Sequence, residues 1–545
     1  MNPEEPPTSK ESFKDERDIF LEVEQARDQQ SLDQRSLRHV PKQILSKALS
    51  AMRPAHAYKL GKRFAYCFVP QLFRSRVWND ADPKPKQFPT SYLSGLRGIT
   101  SVKVFTFHYT FAFGDFGFQP WGTDDRHRYV LELPIIRYFY SGFTAHVFFG
   151  IAGYLTTLRL FQLMDKHDQA SQSKVLLNVS GALFRRAFRL YLPVLIVTLI
   201  TAHYIYFGFY EENRSYISQN PKYFPGTWNE PKPPQFAAYH EQLRFWAREM
   251  FDLTNIFKHG AVYPDHDQHL WSILAEFKGS LFLYLILIAT MQCRRYVRLA
   301  TMCIMTYMFF LWNHWEIWVY ILGAIVAQVD LLLTEQEQER KITLVPERLP
   351  PSPPHSPASE HKPLETWHRQ IPPRNMKFYL RFFGFLVAFY FLSYPIDGYT
   401  DYAPGYITLN RLIPEWMERK DKFYPNIGTA ILLLLLARAD PTTSIWRRIL
   451  NSDLAQYLGK ISFGLYLVHG PILHAIGYMI PHKIWWWIGT EGIDTSNIPW
   501  TIVLCIGWSI SLALSLWVAD VWTREVESRC VKGVKKLEEV CFVKK

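Results

Sequence analysis

Cysteine is scarce in this chain, six among 545 residues, and none lies where an oxidising compartment is expected to reach it. Cys67, Cys293, Cys530 and Cys541 fall in tails or a basic loop, and Cys303 and Cys505 inside apolar runs, which excludes a disulfide framework and argues against a zinc site of four thiolates. The first 88 residues hold no apolar run behind a basic start, so a cleaved secretory leader is not expected. No period of 20 to 50 residues recurs and the two halves show no paired broken helices, which argues against solenoids and lowers an inverted-repeat transporter reading. The chain ends on Lys544-Lys545, not on a Lys-Asp-Glu-Leu-type address.

What is present is unevenly distributed. Hydrophobic residues make up 48% and charged ones 20%, yet mean hydropathy is only -0.09, so apolar and polar content must be segregated. Windows of about 19 residues mark roughly ten stretches able to cross a bilayer core of about 30 Å. They run approximately 92–114, 135–157, 188–209, 270–291, 297–312, 314–333, 378–395, 424–437, 454–480 and 499–523. The expectation is an all-α, polytopic membrane protein, and a soluble enzyme is excluded. The formal charge of +12 then reports topology and not nucleic acid, because Lys and Arg concentrate in loops that stay cytoplasmic. Arg159, Lys166, Lys174, Arg185, Arg186 and Arg189 crowd the second connection, Arg294, Arg295 and Arg298 the fourth, and Arg438, Arg447 and Arg448 the eighth. With an even number of spans, both termini are expected to be cytoplasmic, in a secretory-pathway organelle such as the endoplasmic reticulum or in the plasma membrane.

Three regions follow. Residues 1–88 form a tail whose second part, 31–88, has twelve Lys or Arg against three Asp, with Leu60, Phe64, Phe68 and Leu72 interspersed, a pattern suited to an anionic membrane surface. Residues 89–525 form the membrane domain, interrupted at 334–377 by a linker containing Pro350, Pro351, Pro353, Pro354 and Pro357, which fix φ and remove donors. Residues 526–545 form a second cytoplasmic tail. On the opposite side of the bilayer Asn213-Arg214-Ser215 is a candidate glycosylation acceptor.

The first span carries the most chemical information, since titratable side chains at membrane depth are functional candidates by default. Arg97 and His108 are eleven residues apart, about three turns plus 20°, so they share one helix face and stand ~16 Å apart along the axis. A guanidinium near the helix start can hold a phosphate bidentately, and Gly95 and Gly98 would let that ligand approach the backbone. Acyl-coenzyme A anchored at Arg97 could then present its thioester near His108. Arg185 and Arg186 could bind further phosphates. Asp265-His266-Asp267-Gln268-His269 has metal-ligand residue types but no obvious third cluster, and no metal is expected there. Trp485, Trp486 and Trp487 suit an interfacial belt.

These residues resemble the acyltransferase 3 family of membrane proteins. Gly95-Leu96-Arg97-Gly98 with His108 matches its first-span pattern. Phe148-Phe149-Gly150-Ile151-Ala152-Gly153-Tyr154 and Arg185-Arg186 through Arg189-Leu190-Tyr191-Leu192-Pro193 follow in order. Trp271-Ser272-Ile273-Leu274-Ala275-Glu276 is similar to the family's Trp-Ser-x-x-x-Glu, and Leu458-Gly459 through Ser462, Leu465-Tyr466-Leu467 and His469 to its late segment. The likeness covers about 90–525. Ser94 and Ala152 stand where the family often has Asp and Ser, and the Pro often found near Glu525 and Glu527 is missing.

The resemblance implies transfer of an acyl group, often acetyl, from acyl-coenzyme A as co-substrate, with no tightly bound cofactor, to a hydroxyl on a carbohydrate, lipid or small molecule. A neutral imidazole at His108 suits the general base. Glu276 is expected to orient it, and Trp271, Ser272 and His469 to line the substrate cavity. The alternative is a proton-coupled transporter that uses His108, Glu276 and Arg97 as a relay.

Overall fold

A computed structural model describes residues 69–70, 87–114, 120–121, 129–139, 144–219, 224, 233–258, 260–343, 374–396, 398–489 and 498–542. The basic surface segment at 31–88, Cys67 and the prolines of the 334–377 linker lie essentially outside them. Apart from Val69, the described residues belong to one compact unit, Pro70–Lys545.

Within these residues the fold is helical, without strands. The long helices are α1 (Ser91–Thr110), α2 (Ala145–Met164), α3 (Gln169–Tyr206), α4 (Tyr239–Thr254), α5 (Trp271–Thr290), α6 (Arg295–Leu311), α7 (Trp315–Thr343), α8 (Arg374–Leu392), α9 (Phe423–Ala437), α10 (Asp453–Ile472), α11 (Met479–Trp487), α12 (Ile498–Trp522) and α13 (Ser528–Cys541). Six stretches among the described residues are long and apolar enough to cross a bilayer: Ala145–Met164, Gln169–Tyr206, Gln268–Thr290, Trp315–Arg340, Asp453–Trp487 and Ile498–Cys541. The other four expected spans are helical but shorter or more polar. α1 carries Arg97 and Lys103, the apolar part of α8 is Phe378–Leu392, and α6 and α9 have 17 and 15 residues. A 15-residue helix rises only about 22 Å, less than a bilayer core of about 30 Å.

One expected boundary falls inside a helix. α7 runs to Thr343, so the first ten residues of the expected linker continue a helix. The final segment is helical: α13 is amphipathic, buries Val534, and packs on α3 through Arg185–Glu538 at 2.5 Å and through the Phe184 and Phe542 rings at 5.3 Å.

Small residues set the closest helix approaches. Without water to drive helices together, backbones gain contact only where side chains are small. A Cβ on Gly153 would overlap the Tyr320 carbonyl, and one on Gly323 the Gly150 carbonyl, so α2 and α7 cross backbone against backbone. α1 meets α10 in the same way. A Cβ on Gly98 would strike the Gly459 nitrogen, one on Gly459 the Ser94 carbonyl, and one on Gly95 the Leu450 carbonyl at the end of the short helix Ile445–Leu450 that precedes α10.

Gly95 and Gly98 therefore seat α1 and do not admit a ligand to its backbone, which corrects their expected role. Gly98→Ala is expected to cost about 1–3 kcal/mol of stability, as overpacking does, measured as a lower melting temperature in detergent. An unchanged melting temperature with a raised donor KM would reinstate the ligand role.

The aromatic run at 485–487 is split. Trp485 is buried and stacks on Trp500 at 5.8 Å, whereas Trp486 and Trp487 are exposed and suit an interface.

Candidate active site

Between α1, α2, α3, α5 and α10 lies a cavity of about 1110 Å³. Both Arg97 and His108 line it, as two residues eleven positions apart on one helix must if that face turns inward.

One part of the wall is cationic. Arg97, Arg185, Arg186 and Arg189 all reach it, the last three from adjacent turns of α3. Arg97 donates from Nη2 to Ser462 Oγ at 3.3 Å. Arg186 donates to Glu276 at 2.9 Å and to the Tyr320 hydroxyl at 2.8 Å. Glu276 thus balances a guanidinium. It lies seven residues beyond His269 on the α5 side, about 10 Å along a helix, and its described contact is Arg186, not an imidazole. The sequence expectation paired Glu276 with His108; the carboxylate that meets an imidazole in this wall is a different one, and the ring it holds is His269.

That carboxylate is Asp267. The segment Gln268–Leu270 makes one tight turn into α5, capped by Asp267, whose Oδ1 accepts the His269 backbone N–H at 3.1 Å. The same oxygen lies 2.7 Å from His269 Nδ1. A carboxylate can only accept, so Nδ1 carries the hydrogen and Nε2 is the basic nitrogen. The loop before Asp267 is braced from α4, where Glu249 accepts the Asp265 backbone N–H at 2.7 Å and also contacts His266 Nδ1.

Three imidazoles converge here. The His108 and His269 ring centroids are 3.7 Å apart, His269 and His469 4.5 Å, and His108 and His469 5.3 Å. One nitrogen of each lies within 4.8 Å of the others. His469, on α10, directs Nδ1 to the Tyr466 carbonyl at 2.8 Å, which leaves its Nε2 buried with no hydrogen-bond partner among the described residues. It is 1% exposed and reaches the cavity's edge through its contacts with the other two rings. His108 and His269 do line the cavity, with Trp271, Ser272 and Tyr466. The Tyr466 hydroxyl donates to the His269 carbonyl and meets Ser272 Oγ at 2.8 Å, tying α10 to the start of α5.

Asn213, the candidate glycosylation acceptor, is buried in this fold. It is 5% exposed, and its amide donates to the His474 carbonyl at 2.5 Å and to the Ala475 carbonyl. Those carbonyls belong to the widened turn Leu473–Gly477 that follows α10, where backbone acceptors fall out of the regular ladder. An acceptor asparagine must be at the surface.

Two signals could have exposed the Asp267–His269 pair in the sequence. Asp two residues before His at the start of an apolar run is a capping arrangement, and His269 immediately precedes the Leu270-Trp271-Ser272 entrance to a span. What the sequence could not show is that α1 carries His108 to the same point.

A family model described as an acyltransferase domain matches residues 90–519. Three relatives align over most of their length. They are an O-acetyltransferase, PaAT-1, from Phomopsis amygdali, 26% identical over 83% of this chain and 86% of its own; acyltransferase R4 from a Phoma species, 23% identical over 84% and 98%; and acyltransferase clz18 from Cochliobolus lunatus, 23% identical over 85% and 99%. No solved structure matches the chain.

Proposed function

We propose, from the premise that this chain belongs to the acyltransferase 3 family, that it is a membrane-bound O-acyltransferase that moves an acyl group from acyl-coenzyme A to a hydroxyl. Acetyl is the first acyl group to test, since one relative is named an O-acetyltransferase. The observation that carries the reading is a single cavity holding guanidinium groups and imidazoles together, with Arg97 and His108 on one helix face. The relatives are acyltransferases by name, and nothing among them favours the transporter alternative.

In this reading Arg97, Arg185 and Arg186, joined by Arg189 on the same wall, receive the donor's phosphates, which bind guanidinium groups bidentately. The thioester then reaches the imidazoles. His108 accepts the proton of the acceptor hydroxyl as the oxygen attacks the thioester carbonyl, a contribution typically worth about 10²–10⁴-fold. Trp271 offers a ring face to the acceptor. The cationic part of the cavity faces the cytoplasm, where both termini also lie, and the protein resides in a secretory-pathway or plasma membrane. Incubating the purified protein with isotope-labelled acetyl-coenzyme A and an extract of candidate alcohols tests this, with mass spectrometry reading which molecule gains the acyl mass. Free coenzyme A without an acylated product, or uptake without thiol release, would overturn it.

The histidine spacing supports a second reading. Three neutral imidazoles can hold a divalent ion such as Zn²⁺ and leave one position open. Acid–base chemistry needs no ion, so turnover is expected to survive dialysis against a chelator. Loss of turnover that Zn²⁺ restores would favour the metal-assisted route.

A further inference from the structure

We propose that Asp267 and His269 form a proton-carrying chain with His108, His269 acting as a second acid–base group and Asp267 as the carboxylate that positions it. The inference rests on the acyl-transfer reading and adds residues that the first-span motif does not contain.

One oxygen is shared by two hydrogens. Asp267 Oδ1 takes both the backbone N–H and Nδ1 of His269, so the carboxylate fixes the turn and the ring by the same contact. Such a bond selects one tautomer and stabilises the imidazolium when it forms. Asp267 and His269 are 4% and 2% exposed, so their attraction is weakly screened. His269 still borders the cavity, and its ring lies 3.7 Å, centroid to centroid, from that of His108. The gap of up to 4.8 Å between ring nitrogens is one that a bound water or a small ring rotation closes. The neighbouring groups are arranged to hold His269 still: Glu249 braces the loop before it and Tyr466 binds its carbonyl.

The chemistry balances without a further reactant. The acceptor O–H proton passes to His108 while the new C–O bond forms, and moves on to His269, where Asp267 offsets the charge. The C–S bond then breaks with its electron pair going to sulfur. The departing thiolate takes the proton back from the imidazolium and leaves as a thiol.

The test uses the full-length protein, acetyl-coenzyme A as donor, the alcohol extract as acceptor source, and a chromogenic disulfide to read thiol release. Asp267→Asn keeps the capping oxygen but removes the charge. It is expected to lower kcat about 10²–10⁴-fold, with donor KM within about twofold and melting temperature unchanged. In a His269→Ala background the same change is expected to cost nothing further, because the two act as a unit.

All variants are assayed after dialysis against a chelator: a kcat close to wild type overturns the chain, as does turnover that needs added Zn²⁺, or an equal loss in both backgrounds, which would mark Asp267 as a structural cap only. If Asp267→Asn fails to fold, His269→Gln carries the test: lost kcat at unchanged donor KM supports the proposal and wild-type kcat overturns it. Wild-type protein that releases no thiol at all fails the acyl-transfer reading, and the proton chain falls with it. Wild-type turnover with an indifferent Asp267 fails the chain alone.

Discussion

His108→Ala is expected to reduce acyl transfer by at least about 10²–10⁴-fold, the usual worth of a positioned acid–base group, while the protein still expresses and melts normally. The fold has little stake in this side chain. His108 is only half-buried, and the Tyr478 hydroxyl donates to its backbone carbonyl at 3.0 Å, a bond that alanine retains. Its ring meets Phe107 and Phe111 edge-on, contacts that hold the imidazole toward His269. Donor binding should change little, because the phosphates are assigned to the guanidinium groups. The expected signature is therefore lost kcat at nearly constant donor KM. A variant that turns over at the wild-type rate would remove His108 as the base, whatever the merits of the family assignment.

Arg97→Ala is expected to raise the donor KM about 10- to 150-fold. Hydrogen bonds to charged groups are worth about 1.5–3 kcal/mol, and each 1.4 kcal/mol is a factor of ten. The contact described for its guanidinium is one bond of 3.3 Å to Ser462 Oγ, and Ser462 also donates to the Gly459 carbonyl at 2.9 Å, so the serine stays anchored without it. A large loss of stability is thus not expected, and the KM effect can be read cleanly. A truncated donor that carries the thioester but no phosphate should show no difference between wild type and the variant. If KM for the full donor is unmoved, the phosphates bind elsewhere along the wall, with Arg186 and Arg189 next to be changed.

The helical, membrane-crossing character of the chain was legible because an apolar run of about 20 residues is longer than a soluble core usually buries in one helix and matches the thickness of a bilayer. The facing of Arg97 and His108 was legible for a similar reason, since helical geometry relates two positions without any knowledge of the rest of the fold. Contacts between distant segments were not. Gly95 and Gly98 look the same in a sequence whether they admit a phosphate or the backbone of another helix, and only the position of α10 decides. Glu276 was drawn toward an imidazole by its depth in the membrane, but Arg186 arrives from α3 and claims it. Asn213 satisfies a local motif and is then consumed by two carbonyls some 260 residues later in the chain. Asp267, a short-range partner of His269, gained its meaning only when His108 and His469 arrived from α1 and α10.

The seam between α1 and α10 has one more consequence. Because backbone rests on backbone at Gly98 and Gly459, α1 has no soft layer along which to slip against α10, and the axial offset between positions 97 and 108, ~16 Å by helical rise, behaves as a ruler fixed within the cavity. A donor would be gauged by the length of its arm as much as by its acyl group: too short an arm reaches one mark or the other, never both at once.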